Sequence, residues 1–223
     1  MNEKHIKVKK TARYFVLGEP SENISQVWFV CHGYGQLASY FLKNFELLTD
    51  NKTLVIAPEG MHRFYRNGFD GKVVASWMTK EDRLADIEDY VNFLDQLYIE
   101  IFESFQSHKP SVTFLGFSQG VSTVCRWVRF GKKKPDHLIL WAGIFPPDLP
   151  PFEPGEKNFF DKISTRVVIG NQDEYLNENS MSDFKKIMEK QGIKFQLLTF
   201  EGKHEINAEI LKRISLELAN PCK

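Results

Sequence analysis

The stretch Val112-Thr113-Phe114-Leu115-Gly116-Phe117-Ser118-Gln119-Gly120-Val121 decides how the rest of the chain is interpreted. It begins as a short apolar run typical of a strand and then passes through Gly-x-Ser-x-Gly. Beyond the motif, apolar residues recur at the spacing of a helix, at Val121, Val124, Cys125 and Val128. A strand, a sharp turn and a helix together form a nucleophile elbow, which exposes the serine oxygen beyond the end of the strand.

The Gly-x-Ser-x-Gly pattern alone is a weak signal, because a strand-to-helix turn with an incidental serine has the same residues. Its context makes it stronger. The turn strains the backbone at Ser118, and side chains at Gly116 or Gly120 would collide with the neighbouring strand and helix. The residues that could act with the serine decide between the two interpretations.

The composition argues against several classes of protein. Lys+Arg and Asp+Glu each number 29, and no basic face suited to a polyanion stands out, so we expect no nucleic-acid partner. The 3 cysteines are odd in number and widely spaced, which is not a disulfide framework. No apolar run approaches a membrane span and no signal peptide is found at the N-terminus. We therefore expect a reduced, cytoplasmic protein of unknown oligomeric state.

The apolar runs and their spacing predict strands and helices in alternation. This order is typical of a mostly parallel central sheet with helices on both faces. No repeat or linker divides residues 1–223, so we predict one domain. Extended structure is predicted at 6–17. Strands are predicted at 26–31, 53–57, 112–115, 137–142, 166–170 and 195–200. Helices are predicted at 37–49, 83–106, 179–191 and 206–218, besides the helix after Ser118.

Two further segments are predicted as loops. Residues 61–80 show no clear periodicity, and a loop of this length after a parallel strand is more often functional than idle. Residues 146–154 hold five prolines, which fix φ and deny regular structure, so a stiff loop is expected there.

A serine hydroxyl becomes a strong nucleophile only when a base removes its proton and a carboxylate orients that base. In doubly wound sheets such groups lie beyond the carboxyl ends of strands. His204 follows a predicted strand downstream of Ser118, whereas His137 starts one. Asp173 directly follows a strand, with Glu174 beside it as the alternative carboxylate. The chain order Ser118, Asp173, His204 therefore predicts a catalytic triad of the α/β-hydrolase kind.

Acyl transfer also needs N–H donors where the carbonyl oxygen becomes negative. We predict one at the backbone of Gln119, where the elbow helix begins. The second is predicted at the backbone of Tyr34, because Gly33 and Gly35 let the loop after residues 26–31 turn inward. His32 in this loop is expected to be a structural hydrogen-bonding residue rather than a second base.

Aromatic and sulfur-containing residues in the two long loops are candidates for an apolar substrate pocket. Core packing is an equally good explanation, since the chain contains 19 phenylalanines and most must be buried. The candidates are Phe69, Trp77, Met78, Phe145 and Phe152.

Several motifs together carry a family resemblance across nearly the whole chain. They are Val30-Cys31-His32-Gly33-Tyr34-Gly35, Ala57-Pro58-Glu59-Gly60, Ser76-Trp77-Met78, Gly116-Phe117-Ser118-Gln119-Gly120, the stretch from Gly170 to Asp173, and Gly202-Lys203-His204-Glu205-Ile206. In these the chain resembles the phospholipase/carboxylesterase family of α/β-hydrolases, which includes acyl-protein thioesterases. The resemblance implies cleavage of small-molecule carboxylic esters, with thioesters and lysophospholipids as further candidates, by Ser118, Asp173 and His204 without a cofactor or metal.

The chain departs from the family pattern at two positions. Val121 stands where the family often has a second glycine, and Gln36 stands where it often has an acidic residue. Neither position belongs to the triad. The natural substrate, the acyl length and the preference for ester or thioester are therefore left open, and a protein-depalmitoylating role is not transferred.

Two other functions are compatible with parts of the sequence. Gly33-x-Gly35-x-x-Ala38 followed by Glu59 matches the fingerprint of a dinucleotide-binding oxidoreductase, with Glu59 as the ribose-binding acid. A hydrolase fold can also serve as a catalytically silent binding module. The first leaves Ser118, Asp173 and His204 unexplained, and the second is disfavoured by the presence of all three residues.

Overall fold

The computed structural model of the protein describes residues 1–105, 107–153, 158–176 and 178–219, with the backbone alone at 178–180. The strands are β1 (Tyr14–Leu17), β2 (Gln26–Cys31), β3 (Thr53–Pro58), β4 (His62–Tyr65), β5 (Val73–Ser76), β6 (Ser111–Phe117), β7 (His137–Trp141), β8 (Ser164–Gly170) and β9 (Gln196–Phe200). The α-helices are α1 (Ala38–Phe41), α2 (Arg83–Phe102), α3 (Gln119–Phe130), α4 (Glu178–Lys190) and α5 (Ala208–Ala219).

Seven strands form the central sheet, in the order β1-β3-β2-β6-β7-β8-β9. All neighbouring pairs are parallel except β1 with β3. Every residue of β2 and of β3 is buried, as expected for parallel strands covered by helices on both faces. The predicted mostly parallel sheet is confirmed.

Alternate residues of the strands enter two separate cores. In β2, Val27, Phe29 and Cys31 pack on the face that α2, α3 and α4 cover, whereas Trp28 and Val30 pack on the face that α1 and α5 cover. The period-two alternation of a strand explains this division. The helices thus form one layer on each side of the sheet.

The strand order reverses between β2 and β6, the two strands at the centre of the sheet. From β2 the chain continues to β3 on one side, while β7, β8 and β9 follow β6 on the other. Cys31 pairs with Gly116, so the two central strands end at the same level. A crevice for ligands is expected where the loops after two such strands diverge.

The segment 61–80, predicted as an irregular loop, contains the antiparallel pair β4 and β5, so this prediction is wrong. His62 pairs with Ser76 at one end of the hairpin and Tyr65 pairs with Val73 at the other. Each strand has four residues, and β4 is nowhere fully buried. Such short strands leave too few apolar residues for a periodicity to be recognised.

The helix predicted at 37–49 is only partly α-helical. It has a single α-helical turn, α1, followed by a 3₁₀ helix at Leu42–Leu48. The inward residues of the second part are Leu42, Phe45 and Leu48, which are spaced three apart. Three residues per turn is the period of a 3₁₀ helix, so this spacing keeps one face buried.

The extended segment predicted at 6–17 forms a strand only at its end. Tyr14 is opposite Pro58, where β3 ends, so residues further upstream have no neighbouring strand to pair with. Accordingly Ile6 and Val8 are exposed. The predicted end of the long helix, residue 106, lies outside the described residues.

Among the described residues, no helix has both the length and the apolar composition needed to cross a bilayer.

Candidate active site

Ser118 lies in the turn between β6 and α3, at the centre of the sheet. Its backbone has φ 54 and ψ −116, a conformation that residues other than glycine rarely adopt. The Ser118 N–H donates to the carbonyl of Trp141 at 2.9 Å, which fixes the turn to the neighbouring strand β7. Helix α3 begins at the next residue, Gln119. This is the geometry of a nucleophile elbow.

The glycines on either side of the serine are required by close backbone contacts. A Cβ added to Gly116 would lie 2.2 Å from the carbonyl oxygen of Gly120. A Cβ added to Gly120 would lie 2.1 Å from the carbonyl oxygen of Cys31. Both distances are far below van der Waals contact, so the strand, the turn and the helix approach this closely only because both residues are glycine.

We expect Gly120→Ala to lower the free energy of unfolding by about 3 kcal/mol or more, because the backbone of β2 must move to admit the methyl group. Urea denaturation followed by circular dichroism measures this change. Gly68→Ala is the matched control, since Gly68 has φ +81 but a Cβ added there would meet no atom within 4 Å. The control should lose about 1 kcal/mol. Equal losses in the two variants would contradict the steric explanation.

The loops after β8 and β9 are joined to each other. The N–H of Asn171 donates to the carbonyl of Phe200, and that of Gln172 to the carbonyl of Gly202, both at 2.9 Å. These bonds hold the segment that carries Asp173 against the segment that carries His204. Two residues that are distant in sequence are thereby brought together at one edge of the sheet.

Asp173 and His204 form a direct pair. Their side chains are joined by a 2.8 Å hydrogen bond between His204 Nδ1 and Asp173 Oδ2. Because a carboxylate only accepts, the Nδ1 atom carries the proton and the Nε2 atom of the neutral ring is free to act as a base. The Asp173 side chain is fully buried, whereas the alternative carboxylate, Glu174, is exposed.

His204 packs against the residue that precedes Ser118. The ring of Phe117, directly before the serine, lies 4.9 Å from the His204 ring, centroid to centroid. No hydrogen bond from Ser118 Oγ to His204 is found among the described residues. Catalytic hydrogen bonds of this kind often shorten only when substrate is bound.

Tyr175 also contacts the Asp173–His204 pair, and no sequence pattern pointed to it. Its backbone N–H donates to Asp173 Oδ1 at 2.9 Å. Its ring lies 4.7 Å from the His204 ring at an interplanar angle of 65°. The residue therefore supports the carboxylate with its backbone and the imidazole with its side chain.

The loop after β2 lies against the serine. A Cβ added to Gly33 would be 3.1 Å from the Cβ of Ser118. The N–H of Gly33 donates to Gln36 Oε1 at 2.8 Å, and that of Gly35 donates to the carbonyl of Ala75 at 2.9 Å. Between them, the N–H of Tyr34 has no acceptor within the described part of the chain.

The Gln119 N–H likewise has no acceptor among the described residues. It is the first N–H of α3, where a helix leaves its donors unpaired. Unpaired N–H groups are what a developing oxyanion requires. The assignment of Tyr34 and Gln119 to an oxyanion hole is consistent with this arrangement and stays a prediction.

The hairpin of β4 and β5 has a role in the site that the sequence did not indicate. In addition to the bond from Gly35, the N–H of Ala75 donates to the carbonyl of Gln36 at 3.1 Å. The loop beside the serine is therefore bonded to β5 as if it were a further short strand. The hairpin fixes the position of this loop.

The side chain of Gln119 connects the elbow to the end of β5. Its Oε1 accepts from the Trp77 N–H at 3.2 Å, and its Nε2 donates to the Met78 carbonyl at 3.0 Å. It also contacts Ser76 Oγ at 3.2 Å. The sequence predicts a role only for the backbone of Gln119, because a motif does not show which segment a side chain will reach.

His32 is a structural residue, as predicted. Its Nε2 accepts the N–H of Gly60 at 3.0 Å, and its Nδ1 bonds to the carbonyl of Gly33 at 2.8 Å. Burial lowers the pKa of His32 to about 4, so the ring is neutral near pH 7. Both ring nitrogens are occupied, which leaves none free to act as a second base.

Glu59, the residue that a dinucleotide site would use to bind a ribose, is already occupied. Its Oε1 accepts from Arg13 Nε at 2.6 Å and its Oε2 from the Ala38 N–H at 3.2 Å, and its side chain is 1% exposed. Helix α1, which follows the glycine-rich loop, is one turn long. The geometry therefore contradicts the oxidoreductase alternative.

Two of the predicted pocket residues are core residues. Trp77 is 1% exposed and Phe145 is 0% exposed. Trp77 donates its indole N–H to the carbonyl of His32 at 2.8 Å, and Phe145 packs on Phe160 with ring centroids 5.7 Å apart. Their assignment to the pocket is corrected, because their apolar surfaces are used in packing the interior.

The other three pocket candidates lie in different places. Phe69 is 92% exposed, in the connection between β4 and β5. Phe152 lies 4.4 Å from Arg129, near the last turn of α3 and about 16 Å along the helix from Ser118. Neither lines a pocket at the serine in this structure. Met78 is partly buried and bonded to Gln119, so it stays a candidate.

Comparison by sequence gives one family. A model of the family described as Serine hydrolase (FSH1) matches residues 28–210. This range includes Tyr34, Ser118, Asp173 and His204. No curated protein matches the sequence.

Solved structures with a similar fold include esterases and an acyl-protein thioesterase. Zea mays acyl-protein thioesterase 2 is 14% identical with a TM-score of 0.71, over 94% of this chain and 98% of that chain. Esterase PE8 is 17% identical with a TM-score of 0.68, over 96% and 100%. A phospholipase/carboxylesterase from Dyadobacter fermentans is 16% identical with a TM-score of 0.67, over 96% and 99%. At these identities they show a shared fold, that of the α/β-hydrolases.

Proposed function

The chain belongs to the Serine hydrolase (FSH1) family, and we propose that it cleaves carboxylic esters of small to medium acyl groups with Ser118 as the nucleophile, His204 as the base and Asp173 as the orienting carboxylate. The alcohol or thiol of the substrate leaves first, and water then releases the acid. Thioesters and lysophospholipids are included as candidate substrates, and no cofactor or metal takes part.

The observation that carries this proposal is the Asp173–His204 pair beside the elbow. The 2.8 Å bond to a buried carboxylate selects the His204 tautomer whose Nε2 can accept a proton. The strained turn at Ser118 presents a hydroxyl beyond the end of β6. A nucleophilic serine, a base and an acid that orients the base are the groups that acyl transfer through a serine requires.

In the first half-reaction, Ser118 Oγ attacks the substrate carbonyl while His204 Nε2 removes its proton. The N–H groups of Tyr34 and Gln119 stabilise the negative oxygen of the tetrahedral intermediate. Asp173 stabilises the imidazolium that forms. His204 then gives the proton to the departing alcohol or thiol, which leaves the acyl group on Ser118.

In the second half-reaction, a water molecule takes the place of the alcohol. His204 removes one of its protons as the oxygen attacks the acyl carbon, and the same N–H groups stabilise the second intermediate. Its collapse returns the proton to Ser118 Oγ and releases the carboxylic acid. The site is thus restored without any other reactant.

The organisation of the chain supports one catalytic unit. The sheet is continuous from β1 to β9, and the site residues follow β2, β6, β8 and β9 within it. We therefore propose that the whole chain forms a single α/β-hydrolase domain, with a small-molecule ester or thioester as its partner.

Two measurements test the proposed activity. We expect a fluorophosphonate probe to add to Ser118, as identified by mass spectrometry of the labelled peptide, because such probes react with activated serines. We also expect hydrolysis of nitrophenyl esters, with an optimum at one acyl length between acetate and octanoate. An ester and a thioester with the same acyl group of that length would then show whether oxygen or sulfur is the preferred leaving atom. A serine that neither reacts with the probe nor supports hydrolysis would favour the catalytically silent binding module.

A further inference from the structure

We propose that Tyr175 selects the leaving group, favouring an alcohol or thiol with an aromatic ring close to the scissile bond over a small alcohol such as ethanol. This inference rests on the proposed triad. It concerns the alcohol or thiol part of the substrate, which none of the residues described above selects.

Tyr175 is held in place by its backbone and by its ring. Its own N–H donates to Asp173 Oδ1, and its ring packs against His204 with the centroids 4.7 Å apart. Yet the residue is 69% exposed. An exposed tyrosine whose backbone and ring are both held offers an apolar surface at small entropic cost, since few rotamers are lost when a ligand binds to it.

His204 has a buried aromatic neighbour and an exposed one. Phe117, at a ring distance of 4.9 Å, is 4% exposed and belongs to the core under α1 and α5. Tyr175, at 4.7 Å, is the exposed neighbour. Substrate can therefore approach the imidazole from the side of Tyr175 but not through Phe117.

During acylation, the leaving group of the substrate lies next to the His204 imidazole. When the tetrahedral intermediate collapses, the bond between the acyl carbon and the leaving oxygen or sulfur breaks. His204 Nε2 gives its proton to that atom, and the acyl carbon stays bonded to Ser118 Oγ. The leaving atom is thus within hydrogen-bond reach of the imidazole, and a ring one carbon away can contact Tyr175.

The test compares benzyl and ethyl butyrate, whose alcohols are of similar acidity. The ratio of kcat/KM between them isolates the leaving group, because kcat/KM covers the steps up to its departure and both esters give the same acyl-enzyme. We expect Tyr175→Ala to reduce the benzyl-to-ethyl ratio about 3- to 10-fold, as for the loss of one aromatic pair. Tyr175→Leu should reduce it similarly, and Tyr175→Phe should preserve it.

An unchanged ratio in Tyr175→Ala and Tyr175→Leu would overturn the inference. If Tyr175 only supported His204, its loss would lower kcat/KM for both esters by the same factor and leave their ratio unchanged. As a control, the ratio between nitrophenyl acetate and nitrophenyl hexanoate should be the same in all variants, since these differ in the acyl group. The Tyr175 N–H is retained in every variant, so its bond to Asp173 is kept. Wild-type protein that hydrolyses neither butyrate would instead overturn the proposed function, and this inference with it.

Discussion

Ser118→Ala is expected to lower the turnover of an ester substrate about a million-fold. The variant removes the only atom that forms a covalent bond to the acyl group in the proposed mechanism. The residual rate would come from the N–H donors and from binding alone, which act on a water molecule less well placed than the serine oxygen. Because alanine is smaller than serine and Ser118 already has φ 54, the fold should be retained.

The rate is measured with the nitrophenyl ester that the wild type hydrolyses best, and folding is checked by circular dichroism. Ser122→Ala is the matched control, since Ser122 lies one turn further along α3 and belongs to no part of the site. Its activity should be within about twofold of the wild type. Near-normal turnover in Ser118→Ala would mean that another group is the nucleophile.

The second large effect is expected for Asp173→Asn, about 10⁴-fold in kcat. The amide has the shape of the carboxylate, but its NH₂ group can donate to Nδ1 of His204. That bond would place the ring proton on Nε2, where it prevents the histidine from accepting the proton of Ser118. The loss therefore comes from the wrong tautomer rather than from a disturbed structure.

Glu174→Gln is the control for this substitution, since it makes the same chemical change on the adjacent, exposed carboxylate. It should leave kcat within about twofold. Turnover and thermal unfolding are measured for both variants. If Glu174→Gln lost activity and Asp173→Asn did not, the orienting role would belong to Glu174, and the 2.8 Å bond from His204 would have no catalytic meaning.

The residues at strand ends could be predicted because their positions follow from local patterns. Buried parallel strands are uninterrupted apolar runs, and turn residues such as the glycines around Ser118 mark where they stop. Once the strands are placed, topology brings their carboxyl ends to one edge. Asp173 and His204 were found in this way, and the structure joins them.

Contacts that depend on the third dimension could not be predicted. The sequence does not show whether an aromatic side chain faces the core or the crevice. The prediction that Trp77 and Phe145 line a pocket is wrong for this reason. The side chain of Gln119 reaches a segment more than 40 residues away, and the ring of Tyr175 meets a histidine from another loop. No spacing rule describes such pairs, because they arise only when separate loops pack together.

The central position of β2 and β6 has a consequence for the way the chain must fold. Gln26 pairs with Ser111, so β2 remains without its second neighbour until the polypeptide has been made well beyond α2. Before that point β2 and β3 can pair, but the other edge of β2 presents an unpaired apolar strand. Non-local pairing of this kind is slow and exposes such edges to aggregation. One edge of β2 therefore stays unpaired until β6 has been made, and the strained turn at the serine can form only afterwards.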